Sequence, residues 1–217
     1  NVVFDEDTRV VDYSDKSLTE NTRCAYPIEY IPNALIPCIG NHPKNIVMLT
    51  CDAQGVLPPV SKLTSSQAMY HFISGYTSKM AGTEDLLCLL RSALLGPPPH
   101  PIGEHKADVW LINTGWNGGA YGTGKRIALK YSRAIIDAIH NGELKNAEYV
   151  TYPIFGLEIP KAVTGVPAEV LNPATAWQGT PETYQSTVNQ LAALFNENFS
   201  KYADQATEDV IAAGPKL

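Results

Sequence analysis

The sequence has no surplus of basic residues. Its 217 residues include 16 Lys and Arg against 22 Asp and Glu, so the formal net charge is −6. Proteins that bind nucleic acid rely on a basic face that meets the phosphate backbone, and we find no local cluster of Lys and Arg that could form one. We therefore expect no nucleic-acid partner.

Long hydrophobic runs are also missing. No stretch reaches the roughly 20 apolar residues that a transmembrane helix needs, and the first residues, NVVFDEDTRVV, are acidic where a secretory signal is basic and then apolar. We expect no membrane association and a cytoplasmic location. Because 44% of the residues are hydrophobic, the chain is able to bury a substantial core.

The four cysteines do not form a recognisable pattern. None lies in a C-x-x-C pair, and no histidine stands at ligand spacing from any of them. This argues against a zinc site and against a disulfide framework, so we expect reduced thiols. The residues are Cys24, Cys38, Cys51 and Cys88.

Apolar patterns in the sequence predict a sheet. Residues 1–31, including VVF, RVVDY and CAYPIEYI, are predicted to form antiparallel strands. The continuous apolar runs NIVMLTC at 45–51 and VWLINT at 109–114 are typical of strands buried on both faces. Pro58 and Pro59 exclude LPPV from a central strand because they donate no backbone hydrogen bond. VTYPIFGLEIP, near residue 155, predicts short extended segments.

Capping signals predict three helices between and after these strands. Thr64–Gln67 forms a capping box, and the apolar spacing that follows it extends to Gly82. Ser132 is predicted to cap a helix that ends at Asn141-Gly142. A last helix is expected from Thr180-Pro181. Its predicted apolar face consists of Val188, Leu191, Leu194, Phe195 and Phe199. The fold class is therefore α/β, a mixed sheet with flanking helices.

A glycine-rich loop lies between the second buried strand and the second helix. Residues 119–126 read GAYGTGKR, and Arg126 occupies the place where a phosphate loop needs Ser or Thr. Three interpretations stay open: a phosphate loop, a hairpin without a ligand, or the base end of a nucleotide pocket. The third fits the side chains best, because glycines permit close approach and a planar guanidinium can lie on an aromatic base. IALKY, which follows, is predicted as a strand.

Several long blocks together resemble the C-terminal, nucleotide-binding part of ATP-dependent phosphoenolpyruvate carboxykinase. They are SLTENTRCAYPI, NIVMLTCDAQGVLPPVSKLT, AMYHFISGYTSKMAGTE, NTGW, GKRIALKYSRAIIDAIHNGEL and AAGPKL. The resemblance implies a single incomplete domain over residues 1–217. It also implies a cytosolic carboxy-lyase that converts oxaloacetate and ATP to phosphoenolpyruvate, ADP and CO₂ in gluconeogenesis. Mg²⁺ accompanies the nucleotide, Mn²⁺ helps to bind the enolate, and the family includes homo-oligomers.

The resemblance assigns roles to individual residues. Arg23 of ENTR matches an arginine that reaches the transferring phosphate. Arg126 and Ile127 match the residues that sandwich the adenine, Ser132 stands where the family usually has a threonine near the base, and Gly124 and Lys125 shape the loop. Asp52 has two open interpretations, a turn former or a catalytic group. The five histidines match no catalytic position of the family.

Other family features have no counterpart in this chain. The phosphate loop, the metal-binding Lys, His and Asp, and the oxaloacetate-binding arginine all precede the position of Asn1. We therefore expect this chain to be a fragment that does not turn over substrate alone. Residues 85–103 replace a longer, lid-containing segment of the family, and we interpret them as an aberrant, out-of-frame reading. The alternatives are a non-catalytic relic or partner-binding fragment with residual nucleotide affinity, and an independent P-loop ATPase.

Overall fold

A computed structural model of the protein describes residues 3–15, 17–18, 25–74 and 106–217. Within these residues, one compact unit extends to His42 and a second begins at Pro43. Compactness alone does not define a folding domain, so the single domain over residues 1–217 stays a prediction. No helix in the described part is long and apolar enough to cross a membrane.

The first unit begins with an antiparallel hairpin of β1 (Val3–Phe4) and β2 (Val11–Asp12), as predicted. The Asp5 carboxylate holds the turn by accepting from the backbone N–H of Thr8 at 2.7 Å. The strand predicted over CAYPIEYI is wrong for its described residues. A 3₁₀ turn, Ile28–Tyr30, follows Pro27, whose fixed φ of −58° and missing N–H are unsuited to a sheet ladder.

The second unit is built on a five-stranded sheet. Its strands are β3 (Asn45–Thr50), β4 (Val60–Leu63), β5 (Asp108–Asn113), β8 (Tyr149–Tyr152) and β9 (Leu157–Pro160). Their spatial order is β3-β5-β4-β9-β8, with β3 parallel to β5 and the other pairs antiparallel. A short hairpin of β6 (Trp116–Asn117) and β7 (Lys125–Arg126) follows β5. The sheet is therefore mixed, as predicted.

The two strands predicted to be buried on both faces differ. For β5 the prediction is confirmed, because Val109–Ile112 is at most 5% exposed. For β3 the strand is confirmed but the burial is wrong: Val47 and Leu49 are 37% and 72% exposed. The reason is the position of β3 at the end of the strand order among the described residues. Strand β4 was not predicted, and the exclusion of LPPV from a central strand is wrong for Val60. The strand begins directly after Pro59, so neither proline has to donate to the ladder, and it lies inside the sheet.

The helices are α1 (Ser65–Ser74), α2 (Leu129–His140), α3 (Ala168–Leu171), α4 (Pro173–Ala176), α5 (Pro181–Ser200) and α6 (Glu208–Ala212). The capping box of α1 is confirmed, since Thr64 Oγ1 accepts from Gln67 N at 3.2 Å and Gln67 Oε1 accepts from Thr64 N at 3.0 Å. The predicted continuation to Gly82 lies outside the described residues.

The predicted start of α5 is confirmed, with Thr180 as its N-cap. Its predicted apolar face is wrong at Leu194, which is 48% exposed.

Helix α2 begins earlier than predicted. Its N-cap is Ala128, so Ser132 lies inside the first turn and does not cap the helix. The prediction that IALKY is a strand is wrong for the same reason. The Ala128 carbonyl accepts from Tyr131 N at 2.8 Å, which closes the first turn without a side-chain cap. The predicted end of the helix at Asn141-Gly142 is confirmed.

Two apolar cores cover the faces of the sheet. One contains Leu63, Val109, Leu111 and Leu157 with Val188 and Ala192 of α5. The other contains Val60, Trp110 and Ile112 with Ile135, Ala138 and Ile139 of α2. Alternate residues of β5 therefore enter opposite cores, as the two-residue repeat of a strand requires. This arrangement fixes the loops at the carboxyl ends of β3 and β5.

Candidate nucleotide-binding site

The candidate site lies where the parallel strands β3 and β5 end. Because their carboxyl ends meet at the same edge, the loop at 51–59 and the hairpin of β6 and β7 begin side by side. Thr114 N donates to Thr50 O at 2.9 Å and Trp116 N donates to Asp52 O at 2.8 Å, so the two connections are bonded to each other. In open α/β sheets, ligands bind in the crevice beyond this edge.

Asp52 organises the first of these loops. Its side chain is 5% exposed, and its carboxylate accepts from Gln54 N at 2.7 Å, Val56 N at 2.7 Å and Leu57 N at 2.8 Å. Burial raises the pKa of Asp52, and the backbone amides that donate to it act in the opposite direction. Both carboxylate oxygens are occupied by the loop itself, which favours the turn-forming interpretation over a catalytic one.

Asn113, the last residue of β5, joins the two loops. Its Oδ1 accepts from Asp52 N at 3.0 Å and from Gly115 N at 2.8 Å, while its Nδ2 donates to Leu57 O at 2.9 Å. The residue is 1% exposed, and its Oδ1 and Nδ2 both bond to backbone atoms. Asn113 belongs to the NTGW block, and no role was predicted for it. An Asn at the end of a buried strand, directly before Thr-Gly, is the signal that could have identified it.

Glycines allow the two loops to touch through their backbones. A Cβ at Gly55 would lie 2.0 Å from the Gly119 carbonyl oxygen, and a Cβ at Gly124 would lie 2.0 Å from the same atom. A Cβ at Gly115 would lie 2.2 Å from the Asp52 carbonyl oxygen. Gly55 and Gly119 also have φ values of +74° and +151°. No other residue type fits such contacts without moving the loops.

Arg126 is exposed on the hairpin and held in a defined orientation. Its Nε donates to Thr114 O at 3.2 Å, and its Cζ lies 5.7 Å from the centroid of the Trp116 ring. Tyr121 meets the Trp116 ring edge-on, with centroids 5.2 Å apart. The ion pairs found among the described residues do not include Arg126. The guanidinium is therefore next to an aromatic ring on one side, and the residue as a whole is exposed.

The other predicted site residues of this stretch lie close to Arg126 in the chain. Lys125 is exposed and pairs with Asn117 in the hairpin, and Gly124 N donates to Ala120 O at 2.7 Å. Ile127 is 7% exposed, with its N–H bonded to Gly115 O at 2.8 Å. Ser132 is half-buried in the first turn of α2. Arg23 lies outside the described residues.

The hairpin differs from a phosphate loop in its backbone course. A phosphate loop leads from a strand directly into a helix whose first amides face the phosphates. Here residues 125–126 turn back and pair antiparallel with residues 116–117, and α2 begins only at Leu129. Adjacent side chains of a strand point to opposite faces, so Lys125 and Arg126 leave the backbone on opposite sides of the hairpin. This geometry disfavours the P-loop ATPase interpretation.

Comparison with known proteins identifies the family. The sequence profile of phosphoenolpyruvate carboxykinase matches residues 1–88 and 99–169. The unmatched residues 89–98 fall inside the segment predicted to be aberrant, but residues 85–88 and 99–103 of that segment are matched. The segment lies outside the described residues, so its out-of-frame origin stays a prediction.

Individual relatives carry the same name. The chain is 59% identical over 233 residues to phosphoenolpyruvate carboxykinase (ATP) of Emericella nidulans, covering 99% of this chain and 39% of that protein. It is 56% identical over 235 residues to the Saccharomyces cerevisiae enzyme of that name, covering 100% and 43%, and 52% identical over 233 residues to that of Dictyostelium discoideum, covering 100% and 41%. The chain thus spans well under half the length of these curated relatives. On this combined similarity, the chain belongs to the phosphoenolpyruvate carboxykinase family, and the relatives named here are its ATP-dependent members.

Proposed function

We propose that the hairpin of β6 and β7 holds the purine base of ATP, with the Arg126 guanidinium lying on the ring. The observation that carries this proposal is the orientation of Arg126 between the Thr114 carbonyl and the Trp116 ring. A guanidinium placed on an aromatic ring gains about 0.5–2 kcal/mol, depending on its exposure to water. The purine would occupy the accessible side, so that Arg126 lies between two aromatic systems.

The neighbouring residues complete this pocket in the proposal. Ile127 closes it on the apolar side through the small part of its side chain that remains accessible. Ser132 offers a hydroxyl near the base from the first turn of α2, and Gly124 with Lys125 sets the course of the loop. Arg23 is proposed to reach the transferring phosphate, a role that rests on its ENTR motif.

The whole reaction is proposed for the longer protein to which such a chain contributes. There, oxaloacetate and ATP give phosphoenolpyruvate, ADP and CO₂ in the cytoplasm as a step of gluconeogenesis, and homo-oligomers are one form the enzyme takes. Phosphoryl transfer of this kind depends on cations that neutralise the phosphate charge. Within residues 3–15, 17–18, 25–74 and 106–217, no group of three or more His, Cys, Asp or Glu could hold Mg²⁺ or Mn²⁺. We therefore assign no metal-dependent step to these residues.

Because the chain matches between 38% and 44% of the length of its relatives, we propose that residues 1–217 alone do not turn over substrate. An assay with oxaloacetate, ATP, Mg²⁺ and Mn²⁺ tests this directly. Formation of phosphoenolpyruvate at an enzyme-like rate would refute the proposal.

Ligand competition tests base recognition. Binding of ATP, adenosine, GTP and tripolyphosphate to residues 1–217 can be followed by tryptophan fluorescence, since Trp116 contacts Arg126. We expect adenosine to compete with ATP and tripolyphosphate not to compete. Arg126→Ala should weaken ATP binding about tenfold, a loss of about 1.4 kcal/mol, and should reduce the preference for ATP over GTP.

Lys125→Ala is the matched control for this experiment. It removes a charge from the same short strand but from the opposite face. We expect it to leave adenosine binding unchanged. If Lys125→Ala weakens binding more than Arg126→Ala, and tripolyphosphate competes, the ligand is held by its phosphates. If the unsubstituted chain binds none of these ligands, the relic interpretation is favoured.

A further inference from the structure

Strand β3 has the composition of an interior strand but an exposed position. Its sequence, NIVMLT, contains no charged residue, Pro or Gly. Edge strands are usually protected by charges, Pro or bulges, because unpaired backbone groups and apolar side chains invite association. Among the described residues β3 has a neighbour on only one side, β5. The open side of β3 is therefore unusual for a finished surface.

The backbone bonding shows which groups face the open side. Asp108 N donates to Lys44 O and Thr114 N donates to Thr50 O, both at 2.9 Å. In a parallel ladder the bonding residues alternate, so Ile46 and Met48 also bond to β5. The N–H and C=O groups of Val47 and Leu49 consequently point away from β5, toward the open edge.

The side chains of the same two residues are exposed. Val47 stands beside Trp110 and Leu49 beside Ile112 in the β3–β5 register. Trp110 and Ile112 are buried in the core beneath α2, whereas Val47 and Leu49 are 37% and 72% exposed. On the opposite face of β3, Ile46 and Met48 pack against the other core. One face of the sheet is therefore covered by packed side chains as far as β3. The other face is covered only as far as β5, which leaves Val47 and Leu49 exposed.

The relatives indicate what could complete this region. The alignment covers all of this chain but only 43% of the Saccharomyces cerevisiae enzyme, so more than half of that polypeptide lies outside the matched part. We propose that a strand from this unmatched part pairs with the open edge of β3 and that the adjoining polypeptide covers Val47 and Leu49. The sheet then has at least six strands, and β3 becomes an interior strand. The proposal does not depend on nucleotide binding.

Site-resolved hydrogen exchange tests the pairing. One sample is residues 1–217; the other is a full-length chimera in which these residues replace the matched stretch of the Saccharomyces cerevisiae enzyme. We expect the amides of Val47 and Leu49 to exchange at least 100-fold more slowly in the chimera. The amides of Ile46 and Met48, which bond to β5 in both samples, are internal controls. Equal exchange of Val47 and Leu49 in both folded proteins would overturn the proposal.

A pair of substitutions tests the face. Leu49→Lys should lower the melting temperature of the chimera by several degrees and should leave that of residues 1–217 nearly unchanged. Val150→Lys is the matched control, because Val150 is 40% exposed on β8 at the other end of the sheet. Equal effects of the two substitutions in the chimera would contradict the proposal.

Two further outcomes identify a different occupant. If residues 1–217 form a dimer that Leu49→Lys dissociates, as measured by analytical ultracentrifugation, a second copy covers β3 and the proposal is wrong. If Val47 and Leu49 are already protected in monomeric residues 1–217, the chain covers its own edge and the proposal is again wrong.

Should the chimera fail to fold, residues 1–217 can instead be co-expressed with the tagged, unmatched part of the Saccharomyces cerevisiae enzyme. Capture of the wild-type chain but not of Leu49→Lys supports the proposal, and equal capture overturns it.

Discussion

The two loops that follow β3 and β5 each contain a charged side chain, and they use it in opposite ways. Asp52 is buried, and its carboxylate is occupied by backbone amides of its own loop. Arg126 is exposed and gives only Nε to a backbone carbonyl. A buried charge whose bonds are satisfied shapes the protein, whereas an exposed charge in a fixed orientation is available to a ligand. The first loop therefore supports the fold, and the second is the contact surface in the proposed function.

The largest effect is expected where the two loops touch. Gly55→Ala places a Cβ about 2.0 Å from the Gly119 carbonyl oxygen and keeps a residue at positive φ, so we expect a loss of roughly 3 kcal/mol or more in the free energy of unfolding. Gly122→Ala has a similar φ of +90° but no atom within 4 Å, and should cost only about 1 kcal/mol. Urea unfolding of both variants gives the difference. Equal losses would mean that the loops do not depend on this contact.

The next effect concerns the support provided by Asp52. Asp52→Asn replaces one accepting oxygen by an NH₂ group, which leaves at least one buried amide among Gln54, Val56 and Leu57 without its partner. We expect the free energy of unfolding to fall by about 1–3 kcal/mol. Asp137→Asn, on the exposed side of α2, is the control and should stay within about 0.5 kcal/mol. A comparable effect of both substitutions would show that net charge, not the loop, is responsible.

Removing a buried polar group that has no partner should raise the free energy of unfolding, whereas the two preceding substitutions lower it. Ser61 is fully buried in β4, and its Oγ has no hydrogen-bond partner in the part of the chain that the structure describes. Ser61→Ala removes an unsatisfied hydroxyl with little change in volume, so we expect a gain of about 1 kcal/mol in the free energy of unfolding. Thermal unfolding would show a higher midpoint. A clear decrease would mean that an ordered water satisfies Ser61.

The smallest effect on stability is expected at the contact surface. Arg126→Ala removes one side-chain hydrogen bond and one exposed ring contact, so the free energy of unfolding should fall by only about 0.5 kcal/mol, the low end of the range for exposed contacts. This result, combined with the loss of ATP affinity proposed above, would separate binding from support. A large loss of stability would instead place Arg126 with Asp52 among the structural residues.

Local chemistry made parts of the fold predictable. The capping box of α1, the Thr180 N-cap of α5 and the turn residues after α2 act within a few positions of the chain, so the starts of α1 and α5 and the end of α2 could be predicted from short motifs. The start of α2 could not, because Ala128 caps it without a side-chain signal. The burial of β3 was also not predictable, since it depends on which strands lie beside it.

The candidate site likewise has features that the sequence predicts and features that depend on tertiary contacts. The sequence alone determined that a glycine-rich loop ending in Lys125-Arg126 follows a buried strand, and that most of the chain matches one family, because both are properties of residue order. Only the tertiary structure decided that Asp52 is occupied by its own loop, that Asn113 joins two loops 61 residues apart, and that Trp116 lies beside Arg126. The Asn113 contacts exist only because β3 and β5 end side by side. Those of Asp52 and Trp116 are local, and they depend on the turn that each loop adopts, which residue order alone does not specify.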